Sequence, residues 1–127
     1  MKRKEIKKLD DIWRDIVKDK AGWVCEHCGI RGVRMEAAHV CGRWYRGTRW
    51  GAIVDGVYDL CGHCLCHNCH RQYDSHGPLE GDIVYQTIGS DRLERVQALA
   101  LPVAKYQDFN EIKKILEGEI GIPKEKD

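Results

Sequence analysis

The chain has 127 residues, 43% hydrophobic and 32% charged, with a formal net charge of +1. That length holds one domain with a modest core, and the composition is ordinary for a globular protein. No stretch reaches the roughly 18 apolar residues of a membrane span. "MKRKEIKKLDD" at the N-terminus has no apolar run behind it and so is not a secretory signal, which points to the cytoplasm.

In chain order, residues 4–20 read as an amphipathic helix. Ile6, Leu9, Ile12/Trp13 and Ile16/Val17 recur at helical spacing, and Gly22 ends the run. "CEHCG" at 25–29 follows, a C-x-x-C closed by glycine, as a zinc knuckle requires. "VRMEAAHV" at 33–40 reads as a strand ending near His39. Residues 41–56 carry four glycines and no clear period, and are expected to form one long loop. "VYDL" at 57–60 suggests a short second strand. "CHNCHRQYDSH" at 66–76 begins as a second knuckle and runs into a helix broken at Gly77-Pro78. Three further helices are expected, over about 79–88, 91–100 and 109–117, with Ser90 or Asp91 and the box "DFNE" as caps. The polar tail is expected to fray. The whole is a single α+β domain.

Seven cysteines in a reducing compartment read as metal ligands rather than disulfides. Cys25, Cys28, Cys66 and Cys69 form two C-x-x-C pairs, which fit the four ligands of a structural zinc. Cys61 and Cys64 form a third pair, and one zinc cannot take six cysteines. Two alternatives stay open. Cys41, Cys61 and Cys64 bind a second zinc, with His63, His67 or an outside group as fourth ligand, or they are free or partly buried thiols. Cys61/Cys64 in place of Cys66/Cys69 on the first zinc is a variant of the same problem.

The charge is unevenly spread. Residues 31–50 hold five arginines against one acid, Glu36. "GRWYRGTRW" interleaves Arg43, Arg46 and Arg49 with Trp44 and Trp50, a pattern suited to phosphate and base contact, so DNA is the expected partner. Histidines flank the cysteines: His39 at a strand end, and His70 at a helix start with Asp74 four residues on, sharing its face.

Together "CEHCG", "EAAHVCGR" and "LCHNCH" resemble the HNH endonucleases of the ββα-metal nuclease superfamily, and more narrowly the phage NinG-like recombination proteins. The resemblance spans about residues 9–100. It implies a zinc-stapled, treble-clef-like ββα core at about 22–77, flanked by an N-terminal helix and a C-terminal helical part. It implies phosphodiester hydrolysis, with His39 as general base and Arg43 on the scissile phosphate. His70 would hold a catalytic Mg2+ or Mn2+, helped by Asp74, or by Glu36 if the strand twists. Cys25, Cys28, Cys66 and Cys69 fall on the structural zinc ligands. Two positions depart from the pattern: Ala38 stands where many members have a metal ligand, and Asp55 stands for the loop asparagine. A chain that lost activity through these changes would be a non-catalytic zinc module binding DNA or protein, and a thiol-based sensor is a third reading.

Overall fold

The computed structural model describes residues 1–41, 45–54, 56–76, 89–100, 106 and 108–119, without the side chains of 73–76 and 119. The order is α1 (Arg3–Lys20), β1 (Met35–His39), β2 (Ala52–Val54), β3 (Val57–Asp59), β4 (Gly62–Cys66), α2 (His67–His76), α3 (Ser90–Ala100) and α4 (Phe109–Glu119). The expected helix over 79–88, the Gly77-Pro78 break and the tail lie outside the described residues. No helix among them is long and apolar enough to cross a membrane.

α1 forms where the periodicity places it. Leu9, Trp13, Ile16 and Val17 bury one face. Glu5 accepts the Lys2 backbone N–H at 2.7 Å, which closes the first turn. At the other end Gly22 has a φ of +66°, and the Trp23 N–H returns to the Lys18 carbonyl at 3.0 Å. The buried face packs on α4 and on the strands β1 and β4.

β1 and β4 make the central hairpin. They run antiparallel, in register from Met35↔Cys66 to His39↔Gly62. "VYDL" forms a strand, as its sequence suggests, but it does not return along β1. Instead β3 pairs with β2, Ala52↔Asp59 to Val54↔Val57, inside the stretch expected to be loop. β4 escapes a period-2 search because His63, Cys64, Leu65 and Cys66 are all buried. α2 starts directly after Cys66 and packs on β4 and β1. α4 is capped by Asp108, whose Oδ1 accepts the N–H groups of Asn110 and Glu111 at 2.9 and 3.2 Å, and it runs through Gly118 rather than ending before it.

Trp13 organises one end of the hairpin. It is fully buried, and its indole N–H donates to the Leu60 carbonyl at 2.9 Å. A Cβ at position 62 would overlap its ring, so glycine is required there. The same ring stacks on His39, with centroids 4.1 Å apart and planes 10° from parallel.

Candidate metal centre and active site

The sulfurs of Cys25, Cys28, Cys66 and Cys69 all lie within 4.8 Å of one another. The knuckle turn delivers the first pair. The Cys25 N–H donates to Ile30 O at 3.0 Å, the Gly29 N–H to Cys25 O at 2.9 Å, and Gly29 adopts φ +79°. The end of β4 and the first turn of α2 deliver the second pair. Cys28 Sγ and Cys66 Sγ are 3.8 Å apart. A tetrahedral zinc with bonds of about 2.3 Å separates its sulfurs by about 3.8 Å, so this edge has the right length.

The thiols differ in how readily they ionise. Burial resists ionisation of Cys25, yet the backbone N–H groups of Cys28, Cys66 and His27 outweigh it and bring the thiol down to about 6. Cys69 is pushed up, first by burial and then by its neighbouring sulfurs. Four thiolates at this spacing need a positive charge between them, which a zinc ion could supply. Among the described residues these four are the His/Cys/Asp/Glu cluster arranged to hold a metal.

Cys41, Cys61 and Cys64 stand outside that cluster and are buried. Burial pushes Cys41 and Cys64 up to about 11 and Cys61 to about 12. Cys61 sits at the entry to β4 with φ +54°; its N–H donates to Asp59 Oδ1 at 2.7 Å and its thiol faces Asp59 O at 3.5 Å. Cys64 is locked to the knuckle by its backbone: its carbonyl accepts the Glu26 N–H at 2.8 Å and its N–H donates to the Glu26 carboxylate. The arrangement favours the reading of these three as buried thiols over a second zinc.

The two histidines expected to do chemistry have different neighbours. Strand side chains alternate, so Met35, Ala37 and His39 share one face of β1, and Glu36 and Ala38 the other. His39 is half-buried against Trp13 of α1. Glu36 reaches α2, where His70 Nδ1 lies 2.7 Å from its Oε1 and His67 Nδ1 lies 3.1 Å from its Oε2. Burial raises the Glu36 carboxyl, but the bonds to His70 and His67 and the charge of Arg34 leave it below the usual range. His63, opposite the buried Ala38, links the two environments. It is pushed down to about 4 by burial first, then by the charges of Arg92, His70, His27 and His39, so both histidines lie within its electrostatic reach. The sequence offered His63 only as a zinc ligand. Its two buried partners on that face, Ala38 and Leu65, are what make it a core residue.

The arginine–aromatic segment divides. Arg49 makes a bidentate pair with Asp10 of α1, Nε–Oδ1 3.1 Å and Nη2–Oδ2 2.7 Å, and donates to Tyr106 OH at 2.7 Å. Trp50 is 3% exposed and donates to Asp10 Oδ1 at 2.8 Å. These two residues latch the segment to the helix, so the expectation that they face a nucleic acid is corrected. A ring buried under Tyr106 has no face left for a base. Arg46 is exposed, its guanidinium 5.0 Å over the Tyr106 ring. Arg43, Trp44 and Asp55 lie outside the described residues, as does the side chain of Asp74 on α2. The Val40 N–H joins the two ends of the loop by donating to Cys61 O at 2.9 Å, and Asp59 takes a bidentate pair from Arg92 of α3 at 2.7 Å.

No family model, curated protein or solved structure matches this chain.

Proposed function

We propose that the chain is a metal-dependent DNA endonuclease of the HNH type. The observation that carries this reading is the strand–strand–helix unit itself: four cysteines pin β4 and α2 to the knuckle, with His39 at the end of β1 and His70 one residue beyond the last cysteine. In this reading zinc is a staple and does no chemistry, since four cysteines close its coordination.

His39 would take the proton of an attacking water. A neutral imidazole suits that task near physiological pH, and the Trp13 stack fixes the ring plane. His70 would hold the divalent cation, which when bound offsets negative charge growing on the phosphate and the leaving 3′ oxygen. Ala38 has no ligand atom and is fully buried, so the seat of that cation falls to α2 and its neighbours. Arg46, exposed at the edge, would meet the DNA backbone, with Arg43 and Trp44 beside it in sequence.

Supercoiled plasmid incubated with the zinc-loaded chain and Mg2+ or Mn2+ tests the proposal. Nicked or linear product is expected, falling by about 10²–10⁴-fold in His39→Ala. A plasmid left intact by wild type under every metal ends the nuclease reading. It would leave a zinc module that binds DNA or protein without cutting, the alternative that Ala38 favours.

A further inference from the structure

Glu36 is a meeting point. Its Oε1 lies 2.7 Å from His70 Nδ1, and its Oε2 lies 3.1 Å from both His67 Nδ1 and Arg34 Nε. His67 and His70 are three residues apart on α2, hence on one helical face. Both imidazoles therefore turn the same nitrogen toward one carboxylate carried by the neighbouring strand.

The chemistry of this arrangement is specific. A carboxylate only accepts, so each Nδ1 carries the hydrogen. That fixes the tautomer, and in a neutral ring the lone pair then resides on Nε2. Both carboxylate oxygens are engaged by protein donors, which suits Glu36 to orienting ligands rather than to being one. Carboxylates behind metal-binding histidines do this: they fix the ring and raise the basicity of the far nitrogen.

We propose that Glu36 is a positioning residue that presents Nε2 of His67 and of His70 together as a two-histidine seat for a first-row divalent cation. This rests on the reading of His70 as a metal ligand and deepens it. It names His67 as the second ligand and moves the carboxylate's role from the cation to the imidazoles. Waters and substrate oxygens complete the coordination, as they do for Mn2+ in open sites.

The test is Mn2+ binding, followed by electron paramagnetic resonance of the free ion titrated into the zinc-loaded full chain, with plasmid cleavage measured in parallel. Wild type is expected to take one Mn2+ per chain. Glu36→Gln keeps an acceptor for Nδ1–H but loses the charge, and should weaken binding about 10–100-fold. Glu36→Ala should weaken it further, and His67→Gln at least about tenfold, with zinc content and circular dichroism unchanged. Wild-type affinity in Glu36→Gln and His67→Gln, or no Mn2+ bound by wild type, overturns the proposal. Mn2+ bound as described beside an uncut plasmid upholds the seat and removes the nuclease reading. Cleavage with unchanged Mn2+ dependence in both variants removes the seat and keeps the nuclease.

Discussion

The two ends of the β1–β4 hairpin are held by different means. At the Met35↔Cys66 end, the knuckle and the start of α2 bring four sulfurs within 4.8 Å of one another, a set that could hold a metal ion as its staple. At the His39↔Gly62 end, Cys41 and Cys61 are both buried, yet the staple is an indole: Trp13 lies over Gly62, bonds Leu60 and stacks on His39. The same residue type is grouped as a candidate ligand set at one end and packed into the core at the other. What separates them is approach. Two C-x-x-C turns converge from different elements at the first end, whereas Cys61 at the second is occupied with its own loop through Asp59.

That contrast can be broken by experiment. The largest effect belongs to the metal end. Structural zinc contributes on the order of 10 kcal/mol of apparent folding free energy, so Cys66→Ala or a strong chelator should abolish cooperative thermal unfolding. A sharp transition that survives zinc removal would show that the hairpin does not need its staple. Next is the indole end. Trp13→Ala removes a fully buried ring and should cost about 3–5 kcal/mol by chemical denaturation, with zinc content unchanged. Zinc lost along with stability would mean that the two ends are not separable.

The third prediction concerns His63, between the ends. Its folded value is about 4 against an ordinary 6.5. The neutral form is the one that folding favours, so its contribution is complete above pH 6.5 and is lost as pH falls from 6.5 toward 4. About 2.5 pH units at 1.36 kcal/mol each make a loss of about 3 kcal/mol. The slope of stability against pH in that window should be shallower in His63→Leu than in wild type, and equal slopes would refute it.

Smaller effects follow. Cys61→Ala should cost about 1 kcal/mol and leave the zinc in place, as the loss of a small buried apolar group does. Arg46→Ala, at an exposed position, should change stability by less than about 0.5 kcal/mol while weakening DNA binding in a salt-dependent way. A stability loss there as large as that of Arg49→Ala would mean that the whole segment is a latch.

The legibility of the sequence follows the same division. α1 is readable because Leu9, Trp13 and Ile16 repeat along a solvent-facing helix. The four-cysteine set is readable because knuckle spacing is local to each pair. β4 is not, because a strand buried on both faces shows no alternation, and its cysteines and histidine look like a block of ligands. β2 is three residues long and lies among glycines, too short for a periodic signal. The segment at 45–50 misleads for a different reason. Arginine and tryptophan carry the same chemistry whether they meet a phosphate or a carboxylate, and the carboxylate is Asp10, 39 and 40 positions away in the chain. The clamp of Glu36 on His67 and His70 shares that character: it depends on strand facing and on helix placement, which spacing alone does not determine.

The division of the cysteines rests most directly on cobalt. Co2+ loaded into the zinc-free chain reports tetrahedral thiolate ligation through its absorption bands. One tightly held Co2+ per chain is expected, with bands lost on serine substitution of Cys25, Cys28, Cys66 or Cys69 and intact on serine substitution of Cys41, Cys61 or Cys64. Two thiolate-bound Co2+ ions per chain, or bands lost on substitution of Cys41, Cys61 or Cys64, would contradict it.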